Sequence, residues 1–210
     1  MMKFVAVLIV AALVGFLVWL GRGAAQIGAV STGTPIGQRP KKALLLIDLQ
    51  TVFWDHGPYD EATKTAAHAA IVAAAQAAKA AGTPVIAVRQ EWSIPATKLI
   101  ATVAMQGQAV AGSPGTELAA PFAGLADEVL VKRVQDAFET GELDRLLARL
   151  DVGAVSVVGL DFNYCVAKTA LAARERGFDV EVLQQGALAA DQALAVTTRA
   201  TLAAKAIAVR

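Results

Sequence analysis

The sequence predicts an α/β domain built on a parallel sheet and preceded by an apolar N-terminal helix. Three observations carry this: short continuous apolar runs, alanine-rich or amphipathic stretches between them, and glycines where those stretches end. Apolar runs without alternation suit strands buried on both faces, as in parallel sheets. Strand and helix in alternation imply right-handed crossovers on one sheet. Of the 210 residues, 56% are hydrophobic, an average over a very apolar N-terminus and an ordinarily patterned remainder. Without the first ~40 residues roughly 170 are left, enough for one domain with one core. No internal repeat is visible.

The first element is Phe4 to Leu20, a run without a charge or a proline. Its 17 residues make about 25 Å of helix, near the short end for a bilayer, and Trp19 suits an interface. The run is longer than a signal peptide's apolar core, which favours an uncleaved single-pass anchor over residues 1–21. Cleavage at Gly23-Ala24-Ala25 is the alternative and would give a secreted or periplasmic protein. Lys3 precedes the span, whereas Arg22, Arg39, Lys41 and Lys42 lie beyond it. That count favours a cytoplasmic domain, but N-terminal anchors often export the domain attached to them, so the side stays open. Residues 22–42, rich in Gly, Ser, Thr and Pro towards their end, read as a tether.

From residue 43 onward the elements alternate. Ala43 to Leu49 reads as a strand. Asp60 to Ala81 reads as a helix stopped at Gly82. Pro84–Val88 and Glu128–Val131 are further strands. Glu142–Leu150 is an amphipathic helix with Leu143, Leu146, Leu147 and Leu150 on one face. Ala154–Leu160 is a strand, and Asn163–Arg176 a helix stopped at Gly177. Phe178–Leu183, a helix over Asp191–Lys205 and a short strand within Ala206–Val209 complete the series.

In open parallel sheets the ligand crevice lies beyond the carboxyl ends of the strands. Asp48 and Lys132 end two of these strands, and Cys165 lies just past a third. A thiol near a helix start feels the positive end of the helix dipole, and an ammonium such as Lys132 further favours thiolate. Asp48 can take the thiol proton and return it to a leaving amine. Backbone N–H groups of the Leu160–Cys165 turn can hold an oxyanion. Blander roles fit the same residues: a lone cysteine as a small hydrophobe, Asp48 as a turn cap, Lys132 beside Arg133 as a solvated pair. Phe53, Trp54, Trp92 and Tyr164 are the expected pocket residues, and His56 could join Trp54 and Asp55 there or sit on the surface. His68, inside the alanine-rich helix, reads as structural.

Nineteen basic and 18 acidic residues give a formal charge of +1. With no basic patch interleaved with aromatics, nucleic acid is not an expected partner. One cysteine excludes an intramolecular disulfide.

Local patterns in the soluble part resemble one family. Ala43 to Gln50 with Phe53, Gly112 to Leu118, Val131-Lys132 with Asp136, Ala137, Phe138 and Thr140, and Val157 to Val166 with Thr169, Ala170, Arg176 and Gly177 occur in family order. They resemble segments of the isochorismatase-like cysteine hydrolases, which include nicotinamidases and other small-amide hydrolases. The resemblance implies a three-layer αβα sandwich with a six-stranded, mainly parallel sheet over 43–210. It implies Cys165 as nucleophile, Asp48 as base, Lys132 as thiolate partner, and the Asp161 and Cys165 N–H groups as the oxyanion hole. A cis peptide at Leu160–Asp161 is part of the same expectation. The implied reaction is C–N hydrolysis of a small amide or ureido compound. Vinyl ether cleavage, or an inactive membrane-anchored binding protein, are the alternatives. Some members form oligomers, so a homo-oligomer is expected.

Three positions depart from the family pattern. Asp161 stands where an uncharged residue is usual. Gln90-Glu91-Trp92 replaces the Asp-x-His of the metal-binding members, and with His56 and His68 elsewhere no metal and no other cofactor is expected. Gln185-Gly186-Ala187 replaces an Asp-Ala pair after the fifth strand.

Overall fold

The computed structural model describes residues 2–210. Its centre is one six-stranded sheet in the order β3-β2-β1-β4-β5-β6. The strands are β1 Lys41–Ile47, β2 Val85–Gln90, β3 Glu128–Lys132, β4 Val152–Gly159, β5 Asp179–Ala187 and β6 Ala208–Val209. Every neighbouring pair is parallel. The order runs outward in both directions from β1 and β4, so the crevice of a doubly wound sheet opens between their carboxyl ends.

Alternation along β1 explains why its sequence is apolar throughout. Ala43, Leu45 and Ile47 point into one core cluster and Leu44 and Leu46 into the other. The first cluster is closed by α5 (Glu142–Arg149), α6 (Ala167–Glu175) and α7 (Gln192–Ala204). The second is closed by α3 (Glu61–Ala80), which presents Ala67, Ile71 and Ala75 at four-residue spacing. Asp60 caps α3 by accepting the Thr63 N–H, and Gly82 at φ +67° lies just past its end. The result is the expected three-layer sandwich.

A single turn, α2 (Thr51–Trp54), and α4 (Pro95–Ala104) were not expected from the sequence. Pro95 opens α4 at a position where its missing N–H is harmless.

The N-terminal helix α1 spans Met2–Ile27, about 39 Å at 1.5 Å per residue. Its most apolar window has a mean hydropathy of 2.8 and no buried residue, so it is long and apolar enough to cross a bilayer. It runs beyond the expected limit at residue 21 because Ala24, Ala25 and Gln26 are good helix formers. The tether expected over 22–42 is therefore helical at its start. Gly23 packs against Ala96 of α4 so closely that a Cβ there would overlap. Beyond the helix, the Ile36 N–H donates to the Arg176 carbonyl at 2.9 Å, and the segment runs along the domain surface.

Candidate active site

β1, β3 and β4 deliver the three expected chemical groups to one rim. Asp48, one residue past β1, has φ +52°, a left-handed conformation that Asp tolerates better than most residues but that still stores strain. Its N–H donates to the Val88 carbonyl at 2.9 Å, which fixes the turn. Next to it, β4 ends at Gly159 with φ +124°, where a Cβ would strike the Ile47 carbonyl. Only glycine lets β4 approach this closely. The chain then passes through a π-helical turn, Phe162–Val166, that carries Cys165 into α6.

Lys132, fully buried at the end of β3, gathers four acceptors. Its Nζ lies 2.9 Å from Asp48 Oδ2, 3.2 Å from Cys165 Sγ, 2.5 Å from Gln90 Oε1 and 3.2 Å from the Val134 carbonyl. Gln90 is itself held, since its N–H donates to Gln50 Oε1 at 2.6 Å and its carbonyl accepts from Gln50 Nε2 at 3.0 Å. A buried, fully occupied ammonium of this kind is fixed in place. Asp48 Oδ1, in contrast, is buried without a partner.

Electrostatics set the protonation states. Burial pushes the Asp48 carboxyl up, while Lys132 and a hydrogen bond to Cys165 pull it down; it stays above the usual range. Burial opposes the Lys132 ammonium, but Asp48 and Cys165 outweigh it and hold its pKa up. For Cys165, burial and then the Asp48 charge push the thiol up, and Lys132 only partly offsets them. A thiol beside an ammonium at a helix start was expected to be lowered. The geometry differs because Asp48 and burial act together against one ammonium.

Asp161 is built into the turn. Its Oδ1 accepts the Asn163 N–H at 2.7 Å; its Oδ2 accepts the Ala190 N–H at 2.7 Å and the Tyr59 hydroxyl at 3.0 Å. Three uncharged donors thus occupy the carboxylate oxygens. The Leu160–Asp161 peptide is trans, contrary to the expected cis bond. The turn closes instead through this side-chain cap and through the Phe162 N–H, which donates to the Leu188 carbonyl at 2.7 Å.

Asp48, Cys165 and Asp161 face a cavity of about 450 Å³, within the range of small-molecule sites. Phe53, Trp92 and Tyr164 are among its lining residues. Trp54 does not: it is 5% exposed and stacks edge-on against Phe122 at 4.6 Å in the core. Adjacent residues on a helical turn point about 100° apart, so Phe53 and Trp54 cannot share a wall. His56 is exposed and outside the lining, and His68 packs against Phe122. Tyr59, Met105, Gln108 and Gln135 also line the cavity. Of these, Tyr59 carried the best available signal, a Gly-Pro-Tyr turn after the first strand. No Arg, His or Lys is among the lining residues. Among the described residues no three His, Cys, Asp or Glu groups converge as a metal site. In the Gln90-Glu91-Trp92 stretch, Gln90 holds Lys132, Glu91 pairs with Arg89 at 3.3 Å, and Trp92 forms part of the wall.

The family model described as the isochorismatase domain matches residues 42–209. No curated protein matches the chain. Among solved structures, an isochorismatase family protein from Desulfovibrio vulgaris is 26% identical with a TM-score of 0.69, over 82% of this chain and 94% of that one. The pyrazinamidase/nicotinamidase of Streptococcus mutans is 23% identical with a TM-score of 0.68, over 81% of this chain and all (100%) of its own. N-carbamoylsarcosine amidase from Thermoplasma acidophilum is 21% identical with a TM-score of 0.68, over 81% and 96%.

Proposed function

The chain belongs to the isochorismatase family, and from that premise we propose that it is a cysteine hydrolase cleaving the C–N bond of a small amide or ureido compound. The observation carrying this reading is the buried Lys132 ammonium, 3.2 Å from Cys165 Sγ and 2.9 Å from Asp48, the two groups that line the cavity in front of it. Cys165 Sγ attacks the substrate carbonyl as its proton passes to Asp48, whose free Oδ1 is the available acceptor. Because the resting thiol is held up, deprotonation accompanies attack rather than preceding it. Lys132 stabilises the developing thiolate. The Asp161 and Cys165 N–H groups are the oxyanion donors of this reading, and the Asp161 carboxylate oxygens are engaged by the Asn163 and Ala190 N–H groups. Asp48 then gives its proton to the departing ammonia or amine, leaving a thioester. Water, deprotonated by Asp48, releases the acid and restores the thiol.

Amide chemistry is favoured over an anionic vinyl ether substrate because no lining residue is cationic. A substrate carboxylate would lose its hydration there without gaining a counter-charge. In this reading α1 tethers the enzyme to a membrane, and full-length protein is expected to stay with membranes through alkaline carbonate washing. The enzymatic test is ammonia release from a panel of primary carboxamides and N-carbamoyl compounds, with intact-mass detection of an acyl adduct. Turnover with an adduct lost in Cys165→Ser is expected. Turnover that survives Cys165→Ser would remove cysteine from the mechanism.

A further inference from the structure

Residues 27–36 precede the family domain, whose match begins at residue 42, yet they bear directly on the wall of the cavity. Ile27 is 9% exposed and packs with Trp92, Ala101, Ala109 and Met105. Trp92 and Met105 line the cavity. The Ile27 carbonyl accepts the Gln135 N–H at 3.0 Å, and Gln135 is itself a lining residue. One residue earlier, Val134 offers its carbonyl to Lys132 Nζ. One residue later, Asp136 Oδ2 accepts the Ser31 N–H at 2.8 Å while its Oδ1 holds the Phe138 N–H at 2.8 Å. Arg176 fixes Ser31 in turn, donating to its carbonyl at 2.9 Å and to its hydroxyl at 3.0 Å.

We infer that Ile27 and Ser31 are positioning residues of the active site: they clamp the Val134–Asp136 turn and so set both Lys132 and the Gln135 wall. The end of α1 is thus part of the site as well as the end of an anchor. Removing the clamp frees the turn, and Lys132 loses the acceptor that holds it off Asp48 and Cys165 on one side. Scission after Ala25 would leave the clamp intact. Only the effect on Cys165 rests on the proposed function; the clamp itself does not.

Two full-length variants test this. Ile27→Ala removes the side chain under Trp92. Gly33→Val thrusts a Cβ into Arg176, which a Cβ at this position would already overlap. Val103→Ala, on the exposed face of α4, is the control. Hydrogen exchange of the Gln135 amide is expected to quicken about tenfold or more in both variants and not in the control. The iodoacetamide rate of Cys165 at fixed pH is expected to change about threefold or more, with a shifted pH profile. Unchanged exchange in both variants overturns the clamp. Faster exchange with a wild-type alkylation profile overturns the positioning role and leaves only a packing one. A wild-type thiol that ignores Lys132→Ala sinks the functional reading instead, and exchange then decides the clamp alone.

Discussion

Strand β3 carries a Lys–Asp pair at each end, and the two could hardly differ more. At its amino end Lys79 and Asp127 lie 4.0 Å apart with side chains 41% and 48% exposed. At its carboxyl end Lys132 and Asp48 lie 2.9 Å apart and are 0% and 2% exposed. Water already solvates the first pair, so joining its charges changes little. The second pair was taken out of water at considerable cost and is retained by mutual attraction and by Gln90. A fold that needed only stability would fill that space with apolar side chains. The contrast is what the proposed function requires of the carboxyl rim.

The largest expected effect breaks the buried pair. Lys132→Met leaves Asp48 uncompensated and should lower unfolding free energy by about 3–5 kcal/mol in urea titrations. Adding Asp48→Asn should restore part of that loss, since the stranded charge is gone; a double variant no better than the single one would contradict this reading of the pair. Next in size is Asp161→Ala, which removes the cap of the Phe162–Val166 turn and the acceptor of the Asn163 and Ala190 N–H groups. A loss of about 1–2 kcal/mol is expected, with slower Cys165 alkylation as the turn loosens. At the amino end, Lys79→Ala should shift stability by under about 1 kcal/mol, an effect that salt erases. A larger change there would dissolve the comparison.

A further effect is a pH dependence. Cys165 has a folded pKa above its unfolded one. The thiol's contribution is therefore complete below the ordinary thiol range of about 8.5 and fades as pH rises above it. Relative to Cys165→Ser, the wild type should lose stability between about pH 8.5 and 10, measured as converging or crossing urea midpoints.

How much of this was legible in the sequence depends on where the information sits. Ala43 to Asp48 announces a doubly buried strand and a terminal acid within a few residues, and Asn163 to Gly177 announces a helix and its stop. Placing Asp48, Lys132 and Cys165 at strand ends was enough to bring them together. The state of the thiol was not legible, because it depends on burial and on which of two opposite charges prevails. Nor was the Tyr59–Asp161 contact, which joins residues 102 positions apart. Trp54 failed as a pocket residue because a one-turn helix has too little periodicity to reveal which neighbour faces inward. The Ile27–Gln135 contact was hidden for another reason: Gly- and Pro-rich composition reads as a tether whether or not the segment is docked.

The most direct test of the account is the rate of Cys165 alkylation against pH in wild type, Asp48→Asn and Lys132→Ala. The wild-type rate should climb without a plateau below the free-thiol value of about 8.5. Asp48→Asn should lower the inflection and speed alkylation while ending amide turnover, and Lys132→Ala should raise the inflection and slow it. Opposite shifts from the two variants are the signature of a thiol balanced between a base and an ammonium. A titration that neither variant moves, or that both move the same way, would contradict the account and return Cys165 to the role of a small buried hydrophobe.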